Sequence, residues 1–256
     1  MTRRGFLLAP LALAAQTSRP RASIVWTSGG IPPAFAQQAV VFPRAYTCCP
    51  DRIEAASALE HGRFPHIARS SDASLWDYFE RAPEATADIT ILTSHSADGN
   101  DSPWDRSIHV PLAIRWPGRL VPRMANELLV SHVDVLPTLL SIVGVAIPPT
   151  VQGRNLAGLL LRGEGELPDS LYVEGGLGTR EEWRAVVRGF DKIVWNLREE
   201  ITGLYNLAED PREENDLRGQ REHRVMRDSM MALAHQWMDH LQDGRDAFGL
   251  RTRRPA

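Results

Sequence analysis

Residues 45–66, AYTCCPDRIEAASALEHGRFPH, limit what this chain can fold into more than any other stretch. Pro50 fixes its own φ and pushes Cys49 towards an extended conformation, so the thiol of Cys48 sits on a rigid bend. The run after Arg52 is rich in alanine and stops at Gly62, which predicts a short helix with Cys48 at or just before its N-terminus. Amides and the dipole at such a terminus favour an anion, whether thiolate, sulfate or phosphate, and Arg52 adds a fixed positive charge. A buried structural cysteine beside a helix start fits the same residues, and they leave both readings open.

Other patterns arrange strands and helices around this bend. Residues 23–27 (SIVWT) read as a buried strand closed by Ser28-Gly29-Gly30, and residues 88–94 (DITILTS) as a second strand. Residues 39–46 are apolar but contain Pro43, which suits an edge strand. Residues 73–81 carry one apolar helical face, and residues 104–120 read as an extended strand closed by the Pro117-Gly118 turn. Residues 131–144 predict a helix with Asp134 as N-cap, Pro137 in the first turn and Gly144 as the stop. Its buried stripe is Leu136, Leu139, Leu140 and Val143, and His132 at its mouth reads as a packing or capping histidine. Residues 170–174, 183–188 and 191–197 read as strands, the last two joined as a hairpin at Gly189. Residues 203–207 add one more strand, residues 209–216 an acidic solvated loop, and residues 220–241 an amphipathic helix.

The termini read differently. Thr2-Arg3-Arg4-Gly5-Phe6-Leu7-Leu8 is a twin-arginine export pattern, and the apolar stretch after it ends in small residues suited to cleavage. That stretch is far shorter than the roughly 20 residues needed to span a bilayer. Residues 1–16 are therefore expected to be a signal peptide read by the twin-arginine translocase, with a frayed basic terminus as the plain alternative. The mature protein is placed in the periplasm or outside the cell, with no membrane attachment after cleavage. The expected layout is an α/β core over 17–168, a C-terminal strand-and-helix subdomain over 169–244 and a loose tail over 245–256.

Charge and cysteine content narrow the chemistry. A net charge of −3 argues neither for nucleic acid nor for an acidic tail, and no nucleic-acid partner is expected. Lys192 is the single lysine, against 28 arginines. The two cysteines are neighbours, and Cα atoms about 3.8 Å apart are too close for ordinary disulfide geometry. Both thiols are left for chemistry or packing.

Cys48-Cys49-Pro50-Asp51-Arg52 followed by Gly62-Arg63-Phe64-Pro65-His66 resembles the signature of the sulfatase family, within the alkaline phosphatase superfamily. Ser107-Ile108-His109-Val110-Pro111-Leu112, Arg115-Trp116-Pro117-Gly118 and Ser131-His132-Val133-Asp134 resemble further family stretches. So do Val151-Gln152-Gly153-Arg154 and the acidic string at 209–217. The resemblance implies an alkaline phosphatase-like α/β fold: a mainly parallel sheet sandwiched by helices, plus a small C-terminal α+β subdomain. It also implies that a formylglycine-generating enzyme oxidises Cys48 to formylglycine, whose hydrate attacks a sulfate ester, with Arg52 holding that residue. The family binds calcium through carboxylates after two strands. His95 and Asp98 are the nearest metal candidates here, while Ser28, Gly29 and Gly30 stand where the first aspartate pair would fall. Asn100, Asp101 and Ser102 occupy the neighbourhood of a sulfate-binding lysine.

Three functions follow from these readings. The first is a sulfuric ester hydrolase that uses calcium and acts on a sulfated small molecule or sugar. The second is a catalytically inactive, exported sulfatase-like protein lacking the metal and sulfate ligands. The third is a phosphoester hydrolase using the Cys48 thiolate without metal.

Overall fold

The computed structural model describes residues 21–67, 73–75, 77 and 88–243. The expected signal peptide, the expected tail and most of the helix expected over 73–81 lie outside those residues. In chain order the elements are β1 (Ala22–Trp26), α1 (Pro33–Ala36), β2 (Val40–Val41), β3 (Arg44–Tyr46), α2 (Arg52–His61), β4 (Ile89–Thr93), α3 (Asp105–Ile108) and β5 (Leu112–Arg115). They continue as β6 (Arg123–Met124), β7 (Leu129–Ser131), α4 (Val135–Val143), α5 (Ala157–Arg162), β8 (Ser170–Gly175), β9 (Trp183–Arg188), β10 (Asp191–Asn196), β11 (Ile201–Asn206) and α6 (Arg224–Leu241).

The first sheet has the order β1-β4-β5-β2-β6. β1/β4 and β2/β6 run parallel, while β4/β5 and β5/β2 run antiparallel. The sheet is therefore mixed where a mainly parallel one was expected. The β4–β5 connection carries only the single turn of α3, with no crossover helix to return the chain for parallel pairing. Side chains alternate across this sheet. Val40, Ile89, Ile91, Leu112 and Ile114 face Leu59 of α2 and Leu136, Leu139 and Leu140 of α4, while Val41 and Ala113 face Phe35 of α1.

Three local expectations need correction. Residues 23–27 were read as a buried strand, but among the described residues β1 is an edge with β4 as its one neighbour, and Val25 is 45% exposed. The apolar run is the same in either setting; only the pairing of distant strands tells them apart. Residues 39–46 do not form one edge strand. β2 lies between β5 and β6, and after Pro43 the chain enters a separate two-stranded sheet of β3 and β7. Residues 105–108 form the turn of α3 rather than part of an extended strand, and β5 then closes at Gly118 (φ 77°).

Asp134 stands at the expected N-cap position of α4 but makes no side-chain cap bond to that helix. It closes a 3-10 turn (His132–Asp134) ahead of α4 by accepting from the Ser131 amide at 2.9 Å. Its carboxylate also takes the Arg154 amide at 2.7 Å and the Arg154 guanidinium at 2.8 Å. Arg154 reaches onward to the carbonyls of Leu129 and Ser170, so one buried carboxylate joins α4, β7 and β8. Gly153 lets the backbones meet there, since a Cβ at that position would lie 1.7 Å from the Val133 carbonyl oxygen.

The second sheet is an antiparallel meander, β11-β10-β9-β8, with the expected β9–β10 hairpin turning at Gly189 (φ 60°). α6 lays Met230, Ala234, Met238 and Leu241 against a core that includes Tyr172, Val186, Ile193 and Trp195. The sole lysine lies inside this half at 0% exposure, its Nζ 2.5 Å from Glu213. The other Glu213 oxygen accepts from the Asp105 amide at 2.5 Å. The acidic stretch 209–216 is thus not wholly solvated, because Glu213 is buried and fastens α3 to β10.

Substitution Gly153→Ala is expected to destabilise the fold by about 3 kcal/mol, because the added methyl group meets rigid backbone. A lowered urea midpoint at unchanged m-value would show it.

Candidate active site at the cysteine bend

The bend leaves β3 through Thr47. The Thr47 hydroxyl donates to the Cys49 carbonyl at 2.5 Å and accepts from the Cys49 amide at 3.3 Å. The Cys48 carbonyl accepts from the Glu174 amide at 2.9 Å, which pins the bend to β8. The Cys48 side chain is 0% exposed, in a core cluster that also holds Val133, Tyr172 and Trp195. Burial is the main force raising the Cys48 pKa well above its ordinary range, and the charges of Cys49 and Glu174 add to it. The thiol stays protonated and sealed from solvent.

The helix terminus beside it is already capped. Asp51 is the N-cap of α2, and its Oδ1 accepts from the Ile53 amide at 2.8 Å and the Glu54 amide at 3.1 Å. These are the amides that were expected to favour an external anion, and the chain's own carboxylate holds them. The reading of Cys48 as a metal-free thiolate nucleophile does not survive this arrangement. An aspartate directly before the helix start is itself an N-cap signal, so this much could have been read from the sequence. Arg52, the first residue of α2, is exposed and makes no hydrogen bond or ion pair among the described residues.

His95 and Asp98 follow β4 but go to different partners. The His95 ring stacks on Trp26 with centroids 3.7 Å apart. Burial and the charge of Arg52 hold its pKa below the usual histidine range. Asp98 accepts from the Asn100 amide at 3.0 Å and the Ser96 hydroxyl at 3.3 Å, and faces Arg106 at 3.4 Å. Calcium takes six to eight oxygen ligands, several of them charged. The ends of β1 and β4 carry Thr27, Ser28, Gly29, Gly30, Ser94 and His95. The carboxylates farther along, Asp51, Asp98 and Asp101, each hold backbone amides and do not, among the described residues, converge as a group of three with His95. This donor set does not fit calcium. His132 is fully buried, with Nε2 2.9 Å from the Thr93 hydroxyl, and burial pushes its pKa down to about 3. It is a neutral packing group, as expected.

Sequence reading missed a buried polar cluster behind the bend. His66, Glu174 and Asp243 are, among the described residues, the one group of three such side chains whose ligand atoms lie within 4.8 Å of one another. Arg184 already supplies the positive charge: its Nε lies 2.6 Å from Asp243 and 3.8 Å from Glu174, and its terminal nitrogen 2.6 Å from Glu182. The Tyr172 hydroxyl also donates to Asp243. Glu174 and Arg184 punctuate otherwise apolar strands, which was the available signal. Nothing local marked Asp243.

Residues 102–240 match the family described as N-sulphoglucosamine sulphohydrolase, C-terminal. An endo-4-O-sulfatase of Bacteroides thetaiotaomicron is 33% identical over 98 residues, covering 36% of this chain and 19% of that protein. A structure solved in complex with its substrate D-glucosamine-2-N,6-O-disulfate aligns with a TM-score of 0.55 at 19% identity, covering 62% of this chain and 36% of that one. A 2-O GAG sulfatase structure aligns with a TM-score of 0.54 at 20% identity, covering 95% and 55%. The structural likenesses establish the shared fold. This chain spans about a fifth of the endo-4-O-sulfatase it matches.

Both cysteines should resist a thiol reagent such as Ellman's in the native protein and react fully in denaturing guanidinium chloride. Prompt labelling of Cys48 in the native state would contradict its burial.

Proposed function

The chain belongs to the sulfatase family, and on that premise we propose that it is a member that keeps the family fold outside the cytoplasm without hydrolysing sulfate esters. The observation that carries this reading is the sealing of Cys48 at 0% exposure, where no ester can approach. Three further features support it. The donors near the ends of β1 and β4 do not suit calcium, Asp51 holds the helix amides, and Lys192 is spent on Glu213. Removing a single preorganised charge contact typically lowers a rate by about 100- to 1000-fold. Losing several together leaves no measurable turnover.

The ligand class is a sulfated sugar, the class suggested by the names of the relatives. Arg52 suits weak recognition of such an anion, being exposed and close enough to the Trp26–His95 stack for its charge to lower the His95 pKa. Export rests on the twin-arginine pattern in residues 1–16, which implies the twin-arginine translocase as a partner. Among the described residues no helix is long and apolar enough to cross a membrane.

A second reading is favoured by one observation: Cys48, Pro50 and Arg52 lie on the bend immediately before α2, where the family motif would place them. In that reading a formylglycine-generating enzyme converts Cys48, and the protein is a sulfuric ester hydrolase with Arg52 supporting the new residue.

Co-expression with a formylglycine-generating enzyme, followed by peptide mass spectrometry and an aryl sulfate assay, separates the two. We expect an unmodified Cys48 and no sulfate release. Conversion of Cys48 together with turnover would overturn the non-hydrolytic reading in favour of the second.

A further inference from the structure

Both ring nitrogens of His66 face acceptors. Nδ1 lies 2.5 Å from a Glu174 carboxylate oxygen on β8, and Nε2 lies 3.4 Å from the carbonyl oxygen of Leu241, the last residue of α6. A neutral imidazole carries one N–H and can serve only one of these acceptors, whereas the imidazolium donates to both. The His66 amide donates to the other Glu174 oxygen at 3.0 Å, so the loop after α2 is held at the same point. Asp243, two residues past Leu241, is anchored there by Arg184 and Tyr172. Phe64 and Trp237 line the seam, each at a tilt to Tyr172.

The charged groups around the ring come from three elements. Glu174 lies on β8, Arg184 on β9 with Glu182 paired to it, and Asp243 follows α6. Burial opposes protonation of His66, and Arg184 repels it. The hydrogen bond to Glu174 and the charges of Glu174 and Asp243 outweigh both, so its pKa lies above the ordinary value.

We propose that His66 is a proton-operated latch that, as imidazolium, fastens the C-terminal end of α6 to β8 and to the loop after α2, and loosens that end when the proton leaves, the Arg184–Asp243 pair remaining as the second anchor. A raised folded-state pKa sets the direction. The stabilisation is fully present below the unfolded value of about 6.5 and is lost as pH rises through the folded pKa. His109 has the same two-acceptor setting, 3.3 Å from Asp105 and 2.7 Å from the Pro43 carbonyl. It holds α3 to the segment before β3, so a test of His66 must be resolved by residue.

The test uses the full chain. Histidine Cε1–H resonances are titrated by NMR, and hydrogen exchange of the last-turn amides of α6 is measured over the same pH series, corrected for intrinsic base catalysis. His66 should titrate above about 6.5, and last-turn protection should fall by about tenfold for each unit by which its pKa is raised. His66→Gln should give weak protection that does not change with pH beyond the correction. If that variant fails to fold, the wild-type titration and exchange profile decide alone. A His66 pKa at or below the unfolded value, or wild-type protection that stays flat through the titration, overturns the latch.

Discussion

Glu174 is the buried carboxylate on which the two halves of this molecule meet. Its amide holds the Cys48 carbonyl, its two oxygens take the amide and ring of His66, and Arg184 lies 3.8 Å away. A carboxylate with no exposure is costly to desolvate unless hydrogen bonds and opposite charge compensate it. Here those compensating groups come from the loop after α2 and from β9, while the Glu174 backbone amide separately holds the bend. One residue therefore sets the position of segments far apart in sequence.

The same logic recurs at two other buried acids. Asp134 gathers the Ser131 amide and Arg154, and Glu213 gathers Lys192 and the Asp105 amide. In each case a charged side chain that could have faced a ligand serves as an internal fastener. The consequence for function is direct. Under the non-hydrolytic reading proposed above, this matters because Lys192 is paired with Glu213, and Asp134 and Glu174 with Arg154 and Arg184, rather than facing a ligand.

Much of the architecture was legible beforehand. The strand at β4, the β9–β10 hairpin at Gly189 and the stripes of α4 and α6 followed from local periodicity and turn chemistry, which depend on near neighbours alone. The errors arose where the outcome depends on which strands pair. Among the described residues β1 has the composition of a buried strand but sits at an edge, while the segment whose Pro43 suggested an edge strand divides there, with β2 ending before the proline and lying inside the sheet. At the site, the bend and the helix start were readable from Pro50 and the alanine run. The burial of Cys48 was not, because Tyr172 and Trp195 reach it from a sheet more than a hundred residues away.

The amino-acid sequence by itself determined the family, the twin-arginine pattern, the missing carboxylates before Asp51 and the bend that carries Cys48. These are properties of adjacent residues, and no folding is needed to read them. Tertiary structure decided whether Cys48 meets solvent, what Lys192 is for and why His66 faces two acceptors. Each of those answers turns on desolvation and on partners brought together only when the second sheet and α6 close over the bend.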